Sequence, residues 1–335
     1  MGKCSRVDIV NDLPGSIIES ILTKLPARDA VRTSILSPKW RYHWTTMTQL
    51  TFDDQWVTRS EENAEKDLVN FIMRFLLRHD GPIHKFKLHT EHLKRLTELE
   101  QWLLFLLRKN LNELDLSIYR DRWIVKGQRF YTPPCIFSYQ KLTKLKLFGF
   151  ELKPPIGFQG FPCLKYLKLH GGTVAAETIE NLITGCPLLE KFKFTNLFDP
   201  LALTLCAPNL KHLGLYSGFE DVYLKHTPVL VAIKIYFTWF WKGNIRIKDP
   251  VTYDCLKLIV LECLNFEEIK EVLYALHLIL QSPNLQELRI VTSAPQYEYE
   301  KAADVDFWEK KCPADFTFKH LKIVEMSDLS KTNDT

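Results

Sequence analysis

Two hydrophobic periods divide the chain. In the first, apolar residues fall at Ile17, Ile18, Ile21, Leu22 and Leu25, the spacing of one broad face of an α-helix. Asp12 stands where it can cap that helix. Leu25-Pro26 ends it, because proline lacks an amide hydrogen and clashes with the preceding turn. A second short helix, opened by Arg28 or Asp29, carries Val31 and Ile35. Ser37-Pro38 reads as an N-cap and a first-turn proline for a third helix holding Trp40 and Trp44. Three helices this short cannot bury so many apolar groups on one another, so the pattern predicts a surface that meets a partner.

The second period is apolar, two variable, apolar, one variable, apolar. It runs through Leu111-Leu114-Leu116, Leu142-Leu145-Leu147, Leu164-Leu167-Leu169, Leu189-Phe192-Phe194, Leu210-Leu213-Leu215, Leu230-Ile233-Ile235 and Leu285-Leu288-Ile290. Weaker copies are Met47-Leu50-Phe52, Ile83-Phe86-Leu88, Leu258-Leu261-Cys263 and Leu321-Val324-Met326. One short strand per turn of a solenoid, the leucine-rich-repeat pattern, accounts for this period. The predicted fold is therefore α/β: an N-terminal three-helix module, then an irregular solenoid with a parallel sheet on its concave face and helices or loops on its convex face.

The intervals between strands hold the predicted helices. Ser60 to Arg78 starts with a capping serine and two glutamates and puts Val69, Ile72, Met73 and Leu76 on one face. Leu96 to Arg108 does the same with Leu99, Trp102, Leu103 and Leu106. Val174 to Ile183 is a third. Phe266 to Leu280 is a fourth, with Phe266, Ile269, Leu273, Leu276 and Leu280 as its inner stripe. Cys206 to Leu224 has room only for a loop. The asparagine of the usual repeat is mostly missing, which predicts that other hydrogen bonds hold the loops.

Composition narrows the picture by exclusion. An apolar content of 46% is that of a folded chain, and a formal charge of +4 gives no whole-chain case for nucleic acid. The eight cysteines contain no Cys-x-x-Cys pair, which suits a reducing compartment and argues against a zinc ribbon or a disulfide framework. Met1 to Asn11 lacks the apolar core of a secretory signal, and Trp102–Leu107 and Tyr236–Trp241 are far too short to span a membrane. These readings predict a soluble protein of the cytosol or nucleus. No phosphate loop, dinucleotide turn, nucleophile elbow or His-Glu-x-x-His pair is present, so neither catalysis nor a cofactor is expected. His84, His89 and His92 lie close in sequence without a cysteine or clustered carboxylate to complete a metal site, and read as solvated strand-end residues.

Residues 8 to 52 resemble the F-box, through the Leu13-Pro14 opening, the Leu25-Pro26 stop and the Val31-Arg-Thr-Ser-Ile-Leu-Ser-Pro-Lys-Trp40-Arg41 segment. The resemblance implies binding to a Skp-type adaptor and, through it, to a cullin-RING ubiquitin ligase that targets a protein for ubiquitination. Carried over as adaptor contacts are Leu13, Pro14, Ile17, Ile21, Leu25, Pro26, Val31, Ser37 and Trp40. About half of them are expected to hold the helices together instead. With the repeats, the chain resembles the plant-type F-box/FBD/LRR family, which contributes proximity rather than chemistry. Phe307-Trp308-Glu309, Cys312-Pro313 and His320 to Met326 look like the opening of an FBD segment. Residues 1–52, 53–304 and 305–335 are thus expected as F-box, repeats and a shortened FBD-like end, whose last strand should be poorly covered. Two alternatives use the same residues: a repeat scaffold working outside any ligase, and a small-molecule receptor.

Residues between the repeating leucines face the concave side. The central column reads Lys87, Asp115, Lys146, Lys168, Lys193, Gly214, Lys234, Glu262 and Arg289; beside it lie Lys85, Lys144, Tyr166, Lys191 and His212, with Phe148, Tyr216 and Tyr236 at the edge. Candidate substrate contacts are Lys144, Lys146, Tyr166, Lys168, Lys191, Lys193, Tyr216 and Lys234. One reading is capture of an acidic or phosphorylated segment, or of an anionic small molecule. The other, which composition favours, is that lysines simply solvate an exposed strand face.

Overall fold

The computed structural model describes residues 9–54, 61–119, 130–171, 174–195, 201–216, 219–237, 252–292 and 317–328. The chain forms two units, Met1–Phe150 and Glu151–Thr335.

The first unit starts with α1 (Ile9–Asp12), α2 (Gly15–Leu22) and α3 (Ala27–Arg32). Asp12 does not cap α2: it lies inside α1, and the N-cap of α2 is Pro14, which makes no side-chain cap bond. Pro26 holds the same position before α3. Fixed φ near −55° at both prolines sets the entry angle without a side-chain acceptor. The predicted third α-helix is absent. Residues 38–42 form turns closed by i→i−3 bonds such as Trp40 N–H to Ser37 O, and a 3₁₀ turn, His43–Thr46, follows. Ser37 caps nothing; its buried hydroxyl has no hydrogen-bond partner among the described residues.

Next come β1 (Gln49–Phe52), α4 (Glu61–Leu77), β2 (Lys85–Thr90), α5 (Thr97–Leu106), β3 (Glu113–Ile118), the two-residue β4 (Phe130–Tyr131) and β5 (Lys144–Phe148). Strands β1, β2, β3 and β5 pair in parallel, in that order. The predicted face of α5 holds, with Leu99, Trp102, Leu103 and Leu106 buried; that of α4 holds in part, since Ile72 and Leu76 are buried but Val69 and Met73 are half-buried, and Ala64, Leu68 and Phe75 complete the inner stripe. Ser60 lies outside the described residues. The N-terminal module shares a core with the first repeat. Trp44 packs 4.8 Å from the Phe75 ring, and Phe52 lies 5.4 Å from Phe75 and 5.6 Å from Phe86. Buried His79 ties the two by hydrogen-bonding Met47 O through Nε2 at 2.8 Å. Truncating Phe75 would therefore cost about 3–5 kcal/mol.

The two-residue β6 (Phe150–Glu151) falls on the boundary, and the second unit contains β7 (Tyr166–His170), α6 (Ala176–Thr184), β8 (Lys191–Thr195), β9 (Leu201–Cys206), β10 (His212–Tyr216), β11 (Phe219–His226), β12 (Ala232–Tyr236), β13 (Leu258–Leu264), α7 (Ile269–Leu280), β14 (Glu287–Thr292) and β15 (Ile323–Asp328). Parallel pairing runs β7-β8-β10-β12-β13-β14-β15. The interval read as a loop is not one. β9 and β11 pair in parallel as a separate ribbon that packs with α6.

Backbone groups do most of what an asparagine ladder would, with the Asn209 and Asn284 side-chain amides donating to Pro187 O and Asp254 O. One carbonyl per repeat accepts two successive amides of the next: Lys165 O takes Glu190 and Lys191, Glu190 O takes Lys211 and His212, and Lys211 O takes Val231 and Ala232. The leucine opening each repeat closes a tight turn, as in Leu189 N–H to Cys186 O, Leu210 to Ala207 and Leu285 to Ser282. Such bonds need no particular side chain, so the spacing is free to vary.

Two predicted registers are corrected. In β13 the core frame is Leu256-Ile259-Leu261, all fully buried, not Leu258-Leu261-Cys263. The segment is apolar at nearly every position, so both frames fit the sequence, and pairing of Ile233 with Ile259 selects one. In α7 the buried residues include Val272, Tyr274, Ala275, Leu278 and Ile279, while Ile269 is exposed and Leu273, Leu276 and Leu280 are half-buried. A helix apolar on all sides gives no unique inner stripe.

Candidate functional site

Two surfaces carry the candidate residues. On the N-terminal module the structure sorts the predicted adaptor contacts by burial. Pro14, Ile17 and Ile21 are exposed, the isoleucines at 45% and 38%. Ile17 and Ile21 stand one turn apart on α2, opposite the fully buried Ile18 and Leu22. Leu13, Leu25, Pro26 and Val31 are half-buried. Ser37 and Trp40 are interior, and Trp40 Nε1 donates to Val10 O at 3.0 Å. That geometry makes Trp40 an internal brace rather than an outward contact. Ile35, 86% exposed, and Leu36, 53% exposed, were not among the predicted adaptor contacts. They lie at the end of the 3₁₀ turn Thr33–Ile35 that follows α3. Large aliphatic groups left in water on so small a module favour association.

On the sheet of the first unit Lys85, Lys144 and Lys146 are paired with carboxylates. Lys146 Nζ lies 2.8 Å from Asp115 Oδ2, and His89 Nε2 lies 3.2 Å from Asp115 Oδ1. Register explains the cluster, since Lys87, Asp115 and Lys146 are direct cross-strand neighbours. Burial alone would raise the Asp115 carboxyl, but hydrogen bonds from His89 and Lys146 and the lysine charge bring it down to about 2. Glu113 sits 3.5 Å from Lys144 and 4.0 Å from Lys85. His92, read as solvated, is joined by carboxylates after all: ligand atoms of Asp54, Glu91 and His92 lie within 4.8 Å of one another, and Asp54 Oδ2 accepts the Glu91 amide at 2.7 Å.

In the second unit the central column is Lys168, Lys193, Gly214, Lys234, Val260, Arg289 and Glu325. Val260 occupies the place predicted for Glu262, a consequence of the β13 register, and Glu262 falls one step along beside Tyr236. Among the described residues no carboxylate pairs with Lys168 or Lys191. Burial and the neighbouring Lys168 push the His170 imidazole down to about 4, and burial with Lys191 lowers His212, so both rings stay neutral at pH 7. Gly214 leaves a gap in the column, across which the Tyr216 ring and the Lys193 stem close; a Cβ there would meet them at 3.1 and 3.3 Å. Lys234 is engaged by Glu262 at 2.7 Å and lies 5.9 Å from the Tyr216 ring centroid.

Farther along the same face is a cavity of about 400 Å³ lined by Lys234, Leu258, Val260, Glu262, Arg289, Ile290, Val291, Glu325 and Ser327. Its apolar floor comes from β13 and β14. Its rim charges are paired within the chain, Lys234 with Glu262 and Arg289 with Glu325 at 3.3 Å. At the end of the sheet, Val324 and Met326 of β15 are 55% and 61% exposed, whereas their partners Leu288 and Ile290 are 8% exposed. Phe307, Trp308, Glu309, Cys312 and Pro313 of the FBD-like stretch lie outside the described residues. Among the described residues no helix is long and apolar enough to cross a membrane.

Comparison with known proteins agrees with these observations. The F-box domain model matches residues 10–50, and the model of the LRR repeats of FBD-associated F-box protein At5g56370 matches residues 99–264. F-box/FBD/LRR-repeat protein At1g13570 of Arabidopsis thaliana is 40% identical, over 96% of this chain and 85% of its own length. FBD-associated F-box protein At1g66310 of the same plant is 29% identical over 63% of this chain and 53% of its own. F-box/LRR-repeat protein At4g14096, also of that plant, is 28% identical over 68% and 49%. The chain thus spans most of one relative and about half the length of the other two.

Proposed function

The chain belongs to the F-box/FBD/LRR-repeat family, and on that premise we propose that it is the substrate-recognition subunit of an SCF-type cullin-RING ubiquitin ligase. In this reading α2 and the turn after α3 bind a Skp-type adaptor. The repeat strands select a protein target, working in the cytosol or nucleus, and the chain itself performs no catalysis. Holding a target near a conjugating enzyme carried by other subunits raises its effective concentration, and that is the whole contribution required.

The observation that carries the proposal is the exposure of Ile17, Ile21, Ile35 and Leu36 on a module whose Ile18, Leu22, Trp40 and Trp44 are already buried. Covering four such side chains would contribute several kcal/mol at ~25 cal/mol per Å². Mixing the purified full chain with a Skp-type adaptor should give a complex on gel filtration. Ile17→Asp with Ile21→Asp should abolish co-elution with little change in melting temperature, because neither side chain supports the core. Persistent co-elution of that folded double variant would refute the assignment.

A further inference from the structure

The second unit offers two adjoining features on one face, and neither alone specifies a partner. Over β7 and β8, Lys168 and Lys191 have no carboxylate partner among the described residues, Lys193 adds a third cation, and His170 and His212 beside them are neutral. Over β13 and β14, the cavity of about 400 Å³ has an aliphatic floor and a rim of internally paired charges. Paired rim charges make the cavity a poor anion site, yet they exclude a second uncompensated charge. Its volume is ample for one leucine or phenylalanine side chain, while the cations next to it call for a carboxylate or phosphate.

Strand register fixes the distance between the two. Lys193 pairs across to Gly214, Gly214 to Lys234 and Lys234 to Val260, three strand spacings. At ~4.8 Å each that is ~14 Å, and from Lys168 one more spacing makes ~19 Å. An extended chain advances ~3.4 Å per residue, so about four to six residues span the gap. Resting on the proposed role in target selection, we infer that the concave face of the second unit binds an extended peptide segment crossing its strands. That segment carries an acidic or phosphorylated residue over Lys168, Lys191 and Lys193, and a large apolar side chain over Val260 about four to six residues away.

The test is a set of fluorescein-labelled decapeptides, each with one Asp-Asp pair and one Leu in a Ser-Gly background, their separation stepped from two to nine residues. Binding to the full chain is read by fluorescence anisotropy. The expected result is a maximum at four to six residues, with at least tenfold weaker binding at two and at nine. Lys168→Glu with Lys191→Glu should remove the dependence on the acids. Val260→Trp, which fills the cavity from a partly exposed position, should remove the dependence on the leucine and leave the acids' contribution intact. Affinity that is independent of separation, or unchanged by Val260→Trp in a folded protein, would overturn the inference. So would no binding by any member at 1 mM. Adaptor co-elution, measured separately, reports on the ligase role and is unaffected by either variant, so failure of one reading is distinguishable from failure of the other.

Discussion

Among the described residues each unit buries one carboxylate, and the two are driven in opposite directions. Asp115 of the first unit is 8% exposed and Glu271 of the second 5%. Asp115 is met by Lys146 and His89 and falls to about 2. Glu271 receives the Asn265 amide at 2.9 Å, and burial still lifts its carboxyl to about 7. The same residue types therefore produce different surfaces. In the first unit Asp115 and Glu113 stand among the strand lysines and pair with Lys85, Lys144 and Lys146; in the second the buried acid belongs to the first turn of α7, and among the described residues no carboxylate pairs with Lys168 or Lys191. Charge composition is similar, but cross-strand position decides what a partner meets.

The largest effect that would break this contrast is at Asp115. Its folded carboxyl lies below the unfolded value of 3.8, so its contribution is present above about pH 4 and lost as pH falls towards 2. Asp115→Asn should lower stability by on the order of 2 kcal/mol at pH 7 and flatten the acid limb of a urea-unfolding series. An unchanged acid limb would mean that the cluster is not coupled to folding. Next is Glu271. Its folded carboxyl lies above the unfolded value of 4.5, so its penalty grows as pH rises from 4.5 to 7 and is constant above. Glu271→Gln keeps the acceptor for Asn265 and should stabilise the chain by about 1–2 kcal/mol at pH 8, with little effect at pH 4.

A smaller effect concerns the surface itself. Charge reversal at Lys168 and Lys191 should weaken polyglutamate binding about tenfold in low salt, and reversal at Lys144 and Lys146 less than twofold. Equal losses would erase the difference between the units. The smallest is local. Amides of residues 323–328 should exchange faster than those of residues 259–261, because β15 leaves Val324 and Met326 open while Ile259 and Leu261 are fully buried.

Much of the fold was legible because strand frames with one apolar face admit a single register. Leu164-Leu167-Leu169 and Leu210-Leu213-Leu215 were read correctly for that reason. β13 and α7 were misread because apolar residues on every side make several frames equivalent, and only contact with neighbours selects one. β9 was given no reading although Leu201, Leu203 and Leu205 alternate cleanly, and β11 was missed because the interval Cys206 to Leu224 was judged by length instead of period. At the candidate sites, residue types were legible and pairings were not. Lys146 and Asp115 are 31 positions apart, and only the parallel register brings them together. On the N-terminal module, a tryptophan in the sequence says nothing about which way it points, and Trp40 points inward.

Amide hydrogen exchange of the full chain with and without a Skp-type adaptor tests the central claim most directly. The account predicts new protection in residues 15–22 and 33–36, with the strands at 166–216 unchanged. No protection in α2, or protection confined to the concave strands, would contradict it.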